Sequence, residues 1–282
     1  MYRRLTATAA VCGALTLSLT GCLGSAEEKA GDAGGAVKLA AAQILAKVSD
    51  KAGSADSYRV KLTSDSRLSI QGQQMSVRMD MDMEVRHRPV PAMRGSMTTF
   101  GTPGGGRPVK MIMVGRSLYM NHGSTALSGG KPWARMPVGD GAAGGSDPLE
   151  EMERNGPGEQ ARVLTASPNV RVVGRETVDG VVTTRYAGTL NPATDFARMP
   201  PEHREKYEGI YRKLKAQRVS IELWVGDDGL PRRQKVDMTL AVGAVTAIGT
   251  FFDYGKPVKV SAPPDDQVGE FTSPSLPNIP RA

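Results

Sequence analysis

Between Val77 and Arg86 every second residue is apolar: Val77, Met79, Met81, Met83 and Val85 alternate with Arg78, Asp80, Asp82, Glu84 and Arg86. A period of two puts the apolar set on one face of a strand and the charges on the other, which is the pattern of a half-buried sheet. Comparable runs cover Tyr58–Ile70, Val90–Phe100, Val109–Met120, Val170–Thr177, Val181–Leu190, Val219–Val225, Gln234–Val242 and Val245–Tyr254. Asp179-Gly180 and Gly226-Asp227-Asp228-Gly229 supply the positive φ angles of tight turns, so the runs they join are predicted to be neighbours in one large antiparallel sheet.

Two segments change the period. Val37–Ala52 sets Val37, Ala40, Ala41, Ile44, Leu45 and Val48 at helical spacing, with Lys38, Lys47 and Lys51 off that stripe. Pro201–Arg218 opens on proline and carries a stripe of Tyr207, Ile210, Tyr211 and Leu214 beside Lys206, Arg212, Lys213, Lys215 and Arg218. Such a helix either packs over the sheet with its charges in water or leans on a membrane. A shorter helix is expected over Pro148–Arg154. Gly104-Gly105-Gly106 and the run Gly139–Gly145 lack the spacing of a phosphate cradle and read as loops. After Val260 the prolines 263, 264, 274, 277 and 280 end all periodicity, which predicts an extended tail over 263–282.

The first residues obey a different logic. Arg3 and Arg4 precede an apolar stretch, Leu5 to Leu19, that is too short to span a bilayer and reads as an export signal. It ends in Leu19-Thr20-Gly21-Cys22, which resembles the lipobox of bacterial lipoproteins, with cleavage before Cys22 and a diacylglyceryl group on its sulfur. The other cysteine, Cys12, would leave with the signal, so a mature chain has no intramolecular disulfide and depends on a packed core. These features divide the chain into a signal peptide over 1–21, a flexible tether over 22–36 rich in Gly, Ala and charge, one domain over 37–262, and the tail. The expected location is the outer face of the cytoplasmic membrane.

Loss of residues 1–21 removes Arg3 and Arg4 and lowers the formal charge from +7 to +5, a mild basicity that suits an anionic membrane surface. Nucleic acid is not an expected partner, because the basic residues are not interleaved with stacking aromatics. The three histidines, His87, His122 and His203, have no metal-ligand or nucleophile–base spacing, and no Gly-x-Ser-x-Gly elbow or His-Glu-x-x-His helix occurs. The carboxylate pairs Asp80/Asp82 and Asp265/Asp266 lie on a polar strand face and beside the proline-rich tail. No enzyme, metal or cofactor is therefore expected. What stands out is methionine: 14 residues, against 5 Phe and 7 Tyr. Its flexible torsions and polarizable sulfur suit two roles, an adaptable cavity for acyl chains or a filler of gaps in a closed core, and periodicity does not choose between them.

Several motifs together resemble the actinobacterial LprG/LppX lipoproteins. They are the lipobox, the N-terminal amphipathic helix, a Tyr119…Trp133 strand pair, the hairpin Val173-Gly174-Arg175-Glu176-Thr177-Val178-Asp179-Gly180-Val181, then Ile221-Glu222-Leu223-Trp224-Val225 and Phe252-Asp253-Tyr254-Gly255. The resemblance covers nearly the whole mature chain. It implies an α+β fold in which a curved antiparallel half-barrel, as in the LolA and LolB carriers, wraps a few helices around an apolar cavity. It further implies an acylated lipid or lipoglycan as ligand, carried or presented at the envelope; the alternative is a sensor or scaffold that uses the same fold to bind an envelope protein. Inward-facing positions are expected at Val77, Met79, Met81, Met83, Met111, Met113, Ile221, Leu223 and Val225, since each set occupies one strand face.

Overall fold

Hairpin turns set the order of the sheet. The computed structural model describes residues 26–70, 72–138, 156–199 and 201–272. Its strands are β1 (Ser57–Ile70), β2 (Gln73–Arg86), β3 (Ala92–Phe100), β4 (Pro108–Val114), β5 (Ser117–Asn121), β6 (Trp133–Pro137), β7 (Arg171–Val178), β8 (Val181–Leu190), β9 (Ala216–Gly226), β10 (Pro231–Leu240), β11 (Gly243–Phe252) and β12 (Val268–Glu270). They form one open, curved sheet in the order β12-β6-β5-β4-β3-β2-β1-β11-β10-β9-β8-β7. Two meanders, β1–β6 and β7–β11, are joined side by side where β1 pairs with β11, and every pairing is antiparallel except that of β12 with β6. Helices α1 (Ala26–Gly53), α2 (Glu159–Thr165) and α3 (Pro201–Lys213) complete the described elements, with a 3-10 turn over Asp195–Arg198. The chain divides into two units, Met1–Ala36 and Val37–Ala282.

The structure corrects four expectations. The tether expected over 22–36 is helical from Ala26 onward, because Ala, Glu and Lys favour the helix and extending an existing helix costs far less than starting one, even through Gly31, Gly34 and Gly35. The run Val109–Met120 is two strands, split at a turn where Gly115 takes φ +57°. The helix from Pro201 stops at Lys213, and Lys215, at φ +51°, turns the chain into β9, which takes up Ala216–Arg218. The tail is not extended throughout: Asp265–Gln267 forms a 3-10 turn and Val268–Glu270 pairs with Trp133–Arg135. Backbone bonds hold it there, with Phe271 N–H donating to Arg135 O at 2.9 Å, and Arg135 forming an ion pair with Glu270. The expected signal peptide, Cys22 and the helix over Pro148–Arg154 lie outside the described residues.

Burial falls into two clusters on the same side of the sheet. The first joins Ala41, Leu45 and Val48 of α1, Ala161, Val163 and Leu164 of α2, and Tyr207 and Tyr211 of α3 to Leu190, Val219, Ile221 and Leu223 of β8 and β9. Phe196, in the 3-10 turn, has its ring centroid 6.0 Å from that of Tyr207 and 5.2 Å from that of Tyr211, fixing the approach of α3. Gly188 lets α2 lie close on β8, since a Cβ there would meet Ser167 Oγ at 2.5 Å and Leu164 Cδ1 at 2.8 Å. The second cluster gathers residues of β1 to β5 around Tyr58, Met83, Val85, Met93, Met111, Met113, Leu118 and Phe251. None of its members comes from the three helices.

Candidate functional site

Strand register decides which side chains share a face. Met111 pairs with Gly95, Gly95 with Met83, Met83 with Val60 and Val60 with Phe251, so these project from one side of the sheet. The next row runs through Met97, Met81, Leu62, Gly249, Gln234 and Leu223, and a third through Met79, Ser64, Ala247, Val236 and Ile221. Alternation adds Met113, Val225 and Val77 to the same side. All nine residues expected to face inward therefore lie on one face.

Their surroundings differ. Ile221, Leu223 and Val225 are buried in the cluster that contains the helices. Met83, Met111 and Met113 are buried in the second cluster, and Met81 is packed against it. Val77 and Met79, further along β2, are only half-buried. The second cluster also holds Met93, Met97, Met120 and Met136, which the sequence reading did not single out, making eight methionines in all. Met93 and Met97 flank Gly95 on one face of β3, and that glycine interrupts the apolar stripe to which they belong. Gly95 has a spatial reason: a Cβ there would fall 2.2 Å from Asp82 O and 2.9 Å from Met83 Cγ. Met81, Met97, Met120 and Met136 remain half-buried, so this part of the face is partly open.

The opposite face is polar and laced with ion pairs. Glu84 bridges Arg59 at 2.9 Å and Arg94 at 2.6 Å, and Arg59 also reaches Asp253 at 3.1 Å. Arg185 pairs with Glu222 and stacks over the Trp224 ring at 5.1 Å, while Trp224 Nε1–H donates to Glu176 at 2.6 Å. Asp80, of the Asp80/Asp82 pair, is tied to Arg78 at 3.1 Å on this face.

At the strand ends near Phe252 lies a groove of about 810 Å³ lined by Lys61, Arg232, Arg233, Lys256, Phe252 and Tyr254, among others. None of the nine expected residues lines it. Burial pushes the hydroxyl pKa of Tyr58 and Tyr254 upward, and that of Tyr211 up to about 12; for Tyr207 burial and the neighbouring Glu159 act together. These phenols stay neutral at physiological pH. Among the described residues no three His, Cys, Asp or Glu side chains are grouped to hold a metal ion, and no helix is long and apolar enough to cross a membrane.

Comparison with known structures now bears on this arrangement. LprF from Mycobacterium bovis superposes with a TM-score of 0.51 over 79% of this chain and 96% of LprF, at 18% identity. The chain has the fold of the LprF-type lipoproteins. LppX, a lipoprotein of Mycobacterium tuberculosis, matches over 78% of this chain and 98% of its own at 20% identity, with a TM-score of 0.49. By sequence, a candidate lipoprotein of Streptomyces coelicolor is 26% identical over 147 residues, 51% of this chain and 44% of that one. The chain spans about half the length of the curated relatives it matches. No family model matches it. The half-barrel that the sequence motifs imply is thus the fold observed.

Proposed function

We propose that this chain is an exported lipoprotein, held at the outer face of the cytoplasmic membrane by a diacylglyceryl group on Cys22, whose methionine face shelters the acyl chains of a lipid or lipoglycan. The observation that carries this reading is the partly open cluster of eight methionines on β2–β6. Methionine conforms to chains of variable length, and among the described residues none of α1, α2 or α3 contributes to the cluster, whose half-buried members offer apolar surface for a ligand to cover. Each sheltered methylene contributes about 0.8 kcal/mol, so ten of them supply about 8 kcal/mol gross. Lost translational and rotational freedom offsets at least about 4 kcal/mol of that.

The test is metabolic labelling of expressing cells with a photoactivatable, clickable fatty acid. Cys22 is expected to be labelled in the dark, and illumination is expected to add label to peptides carrying Met81, Met97 and Met120. Absence of light-dependent label from those peptides, with Cys22 labelled, would sink the acyl-binding reading and keep the anchor.

One observation favours a second reading, a scaffold for an envelope protein. Strand β7 is an edge of the sheet, and Arg171–Thr177 is exposed on both faces, including Val172 and Val173. An exposed edge of this kind accepts a further strand. A proline at Val173, which removes a backbone donor, is expected to abolish capture of such a partner and leave the acyl labelling intact.

A further inference from the structure

Both ends of the strands bear exposed apolar side chains, Val90, Val181 and Val182 at one and Met75, Leu214 and Val242 at the other, but the two ends differ in charge. Three connections meet at the latter end: the turn around Gly72 between β1 and β2, Leu214–Lys215 between α3 and β9, and Ala241–Val242 between β10 and β11. Backbone bonds tie them together, Ala241 N–H donating to Lys215 O at 3.2 Å and Ser69 N–H to Val242 O at 2.7 Å. Leu214, Val242 and Met75 stand 44%, 45% and 43% exposed there. Around them lie the exposed cations Arg67, Arg212, Lys213, Lys215 and Arg218.

Segments 66–76, 212–218 and 239–245, which form this rim, contain no carboxylate. The first one met along β1 is Asp65, opposite Arg78. None of the five cations is ion-paired among the described residues. The turns at the other end of the same sheet carry Asp56, Asp179, Asp227, Asp228 and Asp253, of which Asp56, Asp228 and Asp253 are ion-paired with Arg88, Arg232 and Lys256, so that end is of mixed charge where the rim is only positive.

We infer that this rim docks on an anionic phospholipid surface, with Leu214, Val242 and Met75 entering the headgroup layer and the five cations meeting lipid phosphates. Exposed apolar side chains ringed by Lys and Arg suit an interface that is greasy below and negatively charged above. A protein partner of ordinary composition would bring cations of its own to a rim that holds no acid to receive them. The geometry also gives docking a direction. Met75 and Leu68 are cross-strand neighbours at the end of the β1 and β2 rows that lead through Val77 and Met79 to Leu62 and Met81. Docking would set the end of the methionine face against the bilayer. The inference does not depend on acyl-chain binding, and the two fail separately, because the photolabelling above reads the face and the following experiment reads the rim.

The test is hydrogen exchange by mass spectrometry on the full chain, with vesicles of phosphatidylglycerol and phosphatidylcholine in equal parts, or of phosphatidylcholine alone. Peptides covering 66–76, 212–218 and 239–245 are expected to gain protection on the mixed vesicles only, and to lose it in 0.5 M salt, where the Debye length is about 4 Å against about 10 Å at 0.1 M. Each Lys or Arg near an anionic surface changes partition about 5-fold. Replacing Arg212, Lys213 and Lys215 together by Gln should thus lower the docked fraction on the order of 100-fold. Without vesicles, unchanged exchange in β9 establishes that this variant is folded. Equal protection on neutral vesicles, protection at the 226–231 turn instead, or protection that survives the triple substitution would each overturn the inference.

Discussion

If the inner face is closed under the helices and open over the methionines, truncating a side chain should cost different amounts in the two halves. Leu223, 0% exposed, lies on β9 in the cluster shared with α1, α2 and α3. Leu223→Ala removes buried apolar surface and leaves a void that surrounding side chains fill only in part, a loss of about 3–4 kcal/mol. Met97, on β3, is half-buried in the methionine cluster. Met97→Ala gives up about half of a buried methionine's transfer energy and leaves a hollow continuous with solvent rather than an enclosed cavity, so the cost is about 1 kcal/mol.

For a domain of this size each kcal/mol lowers the melting temperature by about 2–4 °C, so drops of about 10 °C and about 3 °C are expected for Leu223→Ala and Met97→Ala. Equilibrium urea denaturation followed by tryptophan fluorescence, at constant m, gives the free energies directly. The acyl photolabel should respond in the reverse order, weakened by Met97→Ala and little changed by Leu223→Ala. A Met97→Ala cost as large as that of Leu223→Ala would refute the reasoning, because it would mean that the methionines are enclosed core.

Two further outcomes follow from local geometry. Gly95→Ala should destabilise by about 3 kcal/mol, since its Cβ would collide with the Asp82 carbonyl and Met83 rather than with a movable side-chain end, and faster amide exchange along β2 and β3 would report it. The raised hydroxyl pKa of Tyr211, to about 12 from the ordinary 10.0, and the upward shifts at Tyr58, Tyr207 and Tyr254 stabilise the fold fully below pH about 10; that contribution is lost as pH rises toward the folded values. Urea midpoints should therefore fall between pH about 10 and 12, with tyrosinate absorbance appearing together with unfolding, and ionisation of all tyrosines while the protein stays folded would contradict the burial described.

The long strands were legible because alternation over ten or more residues admits one reading. Val77–Arg86 shows this, whereas Val181–Leu190 alternates less cleanly and was marked by the Asp179-Gly180 turn before it. The short ones carry no period: β6, which ends on Pro137, was reached only through the Tyr119…Trp133 strand pair of the resemblance, and β12 has three residues, Val268–Glu270, held by backbone pairing and the Arg135–Glu270 contact. Helix α2, with seven residues, is too short to show a stripe. The nine inward residues were recognisable as strand faces, and register places them on one side. Whether a position is covered depends on where helices from distant segments land, and this separates Leu223 from Met81 although both belong to apolar stripes of the same kind.

That separation carries an argument of its own. Over β8 and β9, where helices cover the sheet, the buried bulk is Leu190, Val219, Ile221 and Leu223 together with Phe196 and the tyrosines of α3. These side chains have few rotamers, and they interlock into a single packing. Over β2–β6, where the described cluster takes nothing from α1, α2 or α3, the bulk is methionine, whose unbranched side chain specifies packing poorly. A sheet that needed only a stable core would have no cause to change its packing chemistry halfway across. Among the described residues the change coincides with the boundary of coverage by α1, α2 and α3, and it leaves a face that is apolar enough to be costly in water and soft enough to accept more than one shape. Under the proposed role, a ligand of long, variable hydrocarbon chains would meet both conditions, and the Met97→Ala and Leu223→Ala comparison separates it from a closed core.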